Sequence, residues 1–173
     1  MFKPRSLFLI GMILLAAATR LLPHAPNFTP IAAIALFGGA FFRDKRLAIL
    51  VPFAALFLSD LILGFHTQVF SVYLSFFLIL LLGFKLRENQ KILPVARMTL
   101  MSSVLFFVIT NFGVWLLDGL YPRTVAGLID CYAMAIPFFH QTVMGDALYV
   151  VGLFGGFALA QRLIESVREP VVL

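Results

Sequence analysis

Six apolar runs, each cut off by a short cluster of polar, proline or glycine residues, dominate this chain and restrict its fold more than any other feature. They cover Ser6–Leu22, Pro30–Phe42, Leu47–Leu63, Val69–Phe84, Met98–Leu117 and Thr142–Leu163. A membrane-crossing helix needs about 20 residues, with a range of about 17–25. The first, third, fifth and sixth runs meet this length, the fourth does so if it extends to Leu86, and the second is short. The whole sequence is 62% hydrophobic and 12% charged. Soluble domains carry about 25% charged residues, so a chain this apolar could not cover its own surface for water. The expectation is one all-α, polytopic membrane domain over residues 1–173 with six transmembrane helices.

Between the fifth and sixth runs lies Tyr121–Phe139, apolar but interrupted by Pro122, Arg123, Gly127, Asp130 and Pro137. It reads as an interfacial or re-entrant segment preceding helix 6, because irregular backbone at membrane depth survives only where protein or a wet cavity satisfies it. A seventh span is the alternative, and it would place the C-terminus against the charge rule.

Charge sets the orientation. With the N-terminus inside and six spans, 11 of the 13 Lys and Arg residues fall on the cytoplasmic side, and only Arg20 and Arg123 lie outside. Such a bias is the positive-inside signal. It predicts a membrane protein with both termini cytoplasmic. The net charge of +5 is spread through short loops beside apolar runs, so it is a membrane-orientation pattern and implies no nucleic-acid partner. The start of the chain also has the form of a signal peptide, with a basic n-region and Ala16-Ala17-Ala18. The apolar run continuing into Leu21 and Leu22 favours an uncleaved helix. Thr29 is a suitable N-cap for the second helix, with Pro30 at its first position.

The polar chemistry collects at the opposite pole. His24, His66 and His140 all fall at outer ends of the apolar runs, and His24 and Asn27 share the proline-stiffened loop LLPHAPNFTP. Asp60, Asn111 and Asp146 lie inside runs three, five and six, where polar groups are costly and usually face a cavity or a partner. Trp115 fits an outer aromatic belt or a pocket wall. With Cys131, these nine residues form the predicted ligand-binding set, and six of them, His24, Asn27, Asp60, His66, Asn111 and Asp146, are expected to cluster at one outer pocket for a small-molecule substrate. The plainer alternatives are that the two aspartates pair with Arg20 or cap helix ends, and that Asn111 joins helices. A single cysteine excludes an internal disulfide, and no local metal motif, GxSxG elbow or phosphate loop is present, so no catalytic residue and no cofactor are predicted. Two small-residue stripes either pack helices within the chain or dock a partner in the bilayer. One consists of Ala32, Ala35 and Gly39, the other of Gly152, Gly156 and Ala160.

The runs RLLPHAPNFTPIAAIALFGGAFF, SDLILGFH, ITNFGVW and IPFFHQTVMGDALY resemble blocks of a group of bacterial membrane proteins of uncharacterised function. That group is similar to the substrate-binding S components of energy-coupling factor (ECF) transporters. The resemblance implies a six-helix bundle that takes up a vitamin-like molecule or metal ion through an outer pocket. It also implies docking on a transmembrane T component with ATPases, or solitary action. Some solitary relatives direct a cysteine at the cobalt of cobalamin, which makes Cys131 a candidate ligand residue. Competing expectations are an intramembrane enzyme using Asp60, His66 and Asp146, and a small membrane scaffold.

Overall fold

The computed structural model describes residues 3–65 and 67–168, and within them every regular element is helical. Helix α1 spans Pro4–Ala18 and tightens into a 3₁₀ turn at Thr19–Leu21; α2 spans Ile31–Phe41, α3 Lys45–Leu63, α4 Val69–Lys85 and α5 Ile92–Leu117. Helix α6 (Val125–Val150) runs through a π-helical turn at Val151–Gly155 into α7 (Gly156–Leu163), giving one continuous 39-residue helix. Among the described residues, four helices are long and apolar enough to cross a membrane: Pro4–Leu21, Lys45–Leu63, Ile92–Leu117 and Val125–Leu163. Helices α2 and α4 are apolar but shorter.

The continuous helix corrects one expectation. Tyr121–Phe139 is no separate cap: from Val125 onward it is the first part of the helix that carries the last apolar run. Pro137 sits inside that helix. A proline costs the helix one backbone bond and tends to bend it, but it does not end it here. At about 1.5 Å per residue the helix is roughly 58 Å long, against a hydrocarbon core of about 30 Å. Its start is fixed by a tight turn. Thr124 caps the helix by accepting from the Gly127 amide at 3.2 Å, and Trp115 Nε1 donates to the Pro122 carbonyl at 3.0 Å. Helix α5 also begins earlier than expected, because Pro94 falls in its first turn, where a missing N–H costs nothing. In α2 the cap is Pro30 rather than Thr29, with the Ile34 amide bonding the Pro30 carbonyl at 2.9 Å.

Helix α2 is the hub. It packs against α1, α3, α4, α5 and α6, and all 11 of its residues are buried. The sequence IAAIALFGGAF is apolar on every side, which suits only a surrounded helix. This burial corrects a second expectation. Ala32, Ala35 and Gly39 are enclosed by the chain's own helices, with Ala35 at 0% exposure, so none of the three offers a docking face to a partner.

The tightest neighbour of α2 is α4. A Cβ on Gly39 would overlap the Leu80 carbonyl oxygen and stand 2.9 Å from Gly83 Cα; one on Gly83 would stand 2.5 Å from the Leu36 oxygen. The two backbones are in contact, and only glycine leaves room. Aromatic rings fill the space below, with Phe37 and Phe41 packed against Phe154 and Phe157. Arg87 closes the C-terminal end of α2 by donating from Nε to the Gly39 carbonyl (2.9 Å) and from Nη2 to the Phe42 carbonyl (2.7 Å). These bonds satisfy carbonyls that a helix end leaves open. Partial burial pulls the Arg87 pKa below its ordinary value through desolvation, and a guanidinium starts so high that it stays charged.

The basic segments meet at one end of the bundle. One cavity is walled by Lys3 and Arg5 at the start of α1, Arg43 between α2 and α3, and Arg168 beyond α7. A neighbouring one is walled by Arg43 and Arg87. The connections Leu22–Pro30 and Asp118–Thr124 join helices at the other end.

Candidate functional site

The structure sets one buried polar cluster between α1 and α3, a second between α5 and α6, and a cavity under the Leu22–Pro30 loop at the end away from the basic residues. The first cluster joins α1 to α3. Arg20, on the 3₁₀ turn that ends α1, is 8% exposed, and Asp60 is 1% exposed. Arg20 Nη2 lies 2.7 Å from Asp60 Oδ1. Nη1 donates to Ser59 Oγ and, at 3.4 Å, to the Leu56 carbonyl. A charge survives in such a place only when paired and hydrogen-bonded. The Tyr73 hydroxyl on α4 adjoins Asp60.

The second cluster joins α5 to α6. Thr99, Ser102 and Ser103 are buried on one face of α5, and each bonds a carbonyl of its own helix. Ser103 Oγ also lies 2.6 Å from Asp146 Oδ2, and Asp146 is 3% exposed. Asp60 thus faces a guanidinium and Asp146 a hydroxyl. The pairing with Arg20 allowed by the sequence holds for Asp60, whereas the contact shown for Asp146 is Ser103.

The cavity, about 460 Å³, is lined by Thr19, Leu22, Pro23, His24, Ala25, Phe28 and Tyr149. Its roof is the proline-rich loop. The Phe28 amide bonds the Ala25 carbonyl at 3.0 Å, with Pro26 at the second position and Asn27 at the third with φ +63°. This is the pattern of a type II turn, which needs a positive φ at its third residue. Gly145 lets the loop approach α6, since a Cβ there would lie 3.1 Å from Phe28 Cα. On the wall, Thr19 Oγ1 donates to the Ala16 carbonyl at 2.7 Å and can accept from the Tyr149 hydroxyl 2.9 Å away. His24 Nδ1 lies 2.7 Å from the Leu22 carbonyl. A carbonyl can only accept, so Nδ1 carries the hydrogen and Nε2 of a neutral ring is left to accept from a ligand.

Of the nine predicted ligand residues, His66 lies outside the described residues, and among the rest His24 lines this cavity. Asn27 forms the turn above it. Asp60 and Asp146 are engaged in the two clusters. Asn111 donates to the Phe107 carbonyl of its own helix at 2.8 Å, and Trp115 staples the Pro122 turn. Cys131 is buried with its sulfur 3.4 Å from the Asn111 carbonyl, and His140 is exposed. The described members are spread over separate environments instead of walling a common pocket: Asn111 and Trp115 bond backbone of their own helix and an adjacent turn, while Asp60 and Asp146 are taken up by Arg20 and Ser103. Of the residues expected to dock a partner, Ala32, Ala35 and Gly39 are buried, as described above, whereas Gly152 and Gly156 are exposed.

Sequence reasoning passed over Thr19, Tyr149 and the α5 hydroxyls. The last carry a signal: Thr99, Ser102 and Ser103 stand at i, i+3 and i+4, one polar stripe on an otherwise apolar helix. The turn assignment yields a first prediction. Asn27→Val should cost about 1–3 kcal/mol in thermal unfolding, since a branched residue is strained at positive φ, while Asn27→Gly should be tolerated. Equal stability of the two variants would refute the turn assignment.

No curated protein and no solved structure matches this chain. A family of unknown function, DUF6580, matches residues 1–167, and the chain belongs to that family.

Proposed function

We propose that this protein is a multi-pass inner-membrane binding protein that captures a small polar or vitamin-like molecule from the extracytoplasmic side for uptake. The observation that carries the reading is the 460 Å³ cavity under the Leu22–Pro30 loop, at the end opposite the basic cluster. Ligand pockets commonly measure about 300–1,000 Å³ and pair apolar walls with a few polar groups. Here Leu22, Pro23 and Phe28 supply the walls, and His24, Thr19 and Tyr149 supply the donors and acceptors.

The topology that suits this reading has six passes, α1 to α5 and the continuous helix from Val125, with both termini cytoplasmic. It places Lys3, Arg5, Arg43, Arg87 and Arg168 inside and the cavity outside, in line with the positive-inside bias. The ion pair at Arg20 holds the end of α1, and with it the start of the loop, against α3. The residues used here bind and orient; none is asked to carry out a reaction. Energy for uptake comes from a partner such as the T component and ATPases of ECF systems, docked on a surface other than the buried α2 stripe.

The test is native mass spectrometry of the purified protein. A small polar adduct should co-purify with the unaltered chain and be lost from His24→Ala and Tyr149→Phe, but kept by Arg123→Gln. Removing one hydrogen-bonding group should weaken retention roughly ten- to a hundredfold. No adduct, or an adduct indifferent to the cavity variants, would contradict the reading.

A further inference from the structure

The basic end of the bundle holds more than an orientation signal. Two adjoining cavities, about 530 Å³ and 300 Å³, share Phe41, Phe42 and Arg43 at the end of α2. Helix α2 is only 11 residues, about 16 Å, shorter than the helices around it, and a recess lies between the ends of its neighbours where it finishes. Into the walls of that recess come cations from four separate stretches of chain: Lys3 and Arg5, Arg43, Arg87, and Arg168. Among the described residues the acidic group on the walls is Asp44, the N-cap of α3, its Oδ1 accepting from the Arg46 amide at 2.7 Å, and the cations outnumber it. Arg87 and Arg168 are positioned by backbone carbonyls, which are neutral acceptors. The inner lining is apolar, with Leu9, Leu47 and the two phenylalanines.

We propose that this recess binds the phosphate headgroup of an anionic phospholipid, with the glycerol and upper acyl chain against the apolar lining. The positive-inside rule requires basic residues in these loops, but not their convergence on one recess with an apolar inner surface. Basic pockets between membrane helices are known to take anionic head groups, each Lys or Arg near the surface contributing to the attraction. Arginine suits this role because its planar fork matches phosphate oxygens. The proposal does not depend on the outer cavity having a ligand.

The experiment uses the full chain in nanodiscs of phosphatidylcholine alone and of phosphatidylcholine with phosphatidylglycerol. Lipid retained after release is counted by native mass spectrometry. The unaltered protein should retain phosphatidylglycerol in strong preference to phosphatidylcholine. Arg5→Gln/Arg43→Gln/Arg168→Gln should reduce that preference by on the order of a hundredfold. The corresponding triple lysine variant should keep most of it, and Arg123→Gln should keep all of it. Thermal stability in detergent with added inorganic phosphate separates the sources: phosphatidylglycerol should stabilise and free phosphate should not. Equal retention of the two lipids by the unaltered protein overturns the proposal without any variant. An undiminished preference in the glutamine variant, or stabilisation by phosphate equal to that by the lipid, overturns it as well.

Discussion

Replacing Asp60 with alanine is expected to cost about 3–5 kcal/mol, the largest loss for any single change in the outer half of the bundle. The reason is the orphaned partner. Arg20 is 8% exposed, and without Asp60 Oδ1 at 2.7 Å its guanidinium keeps only Ser59 and the Leu56 carbonyl. Arg20→Ala should be similarly severe, since it leaves a buried carboxylate alone. The double change Arg20→Met/Asp60→Leu should recover most of the loss, because replacing a whole buried pair by apolar side chains is often neutral or better. Denaturant titration in detergent micelles of the single and double variants checks this. Losses that simply add would show that the two groups do not act on each other. If Asp60 instead served ligand capture, as the sequence alone allows, Asp60→Asn would abolish adduct retention while leaving unfolding unchanged.

The second large effect lies at the α2–α4 contact. Gly39→Ala and Gly83→Ala should each destabilise by about 1–3 kcal/mol or more, because the new methyl meets backbone that cannot rotate away. Glycines without neighbours should behave oppositely. An added methyl on Gly11 or Gly152 would meet nothing within 4 Å, so alanine there should be neutral or stabilise by roughly 0.5–1 kcal/mol through helix propensity. The same assay applied to all four variants decides the matter. A tolerated Gly39→Ala would mean that the two helices are not in backbone contact.

Helix positions are legible in the sequence because an apolar run in this chain has one structural use. The second, third and fourth runs agree with α2, α3 and α4 to within two residues at each end. Punctuation is less legible. Pro94 and Arg97 point to a start of α5 at Met98, but a proline in the first turn is harmless, and the helix starts at Ile92. Pro137 points to a break, and the helix continues through it. The residue types of the outer end are also legible, but their partners are not. Asp60 and Asp146 look alike in sequence, each a lone carboxylate in an apolar run. Their difference comes from which helix packs alongside, Arg20 at the end of α1 for one and the α5 hydroxyls for the other. Asn27 resembles a ligand group because it is polar in a stiff loop, although its position after Pro26 already matches a type II turn. For Ala32, Ala35 and Gly39 the small side chains point equally to packing within the chain and to partner docking, and only their burial, which depends on five surrounding helices, decides for packing.

The central claim is an outward cavity at one end of the bundle and a basic recess at the other, on opposite sides of the membrane. The chain offers a direct probe, since its single cysteine, Cys131, is 2% exposed and can be removed as Cys131→Ser. In that background, His24→Cys places a thiol at the cavity mouth and Glu88→Cys places one in the exposed loop beside Arg87. Intact cells treated with a membrane-impermeant maleimide should label the residue 24 variant at once and the residue 88 variant only after permeabilisation. Labelling of both from the same side, or in the reverse order, would contradict the account.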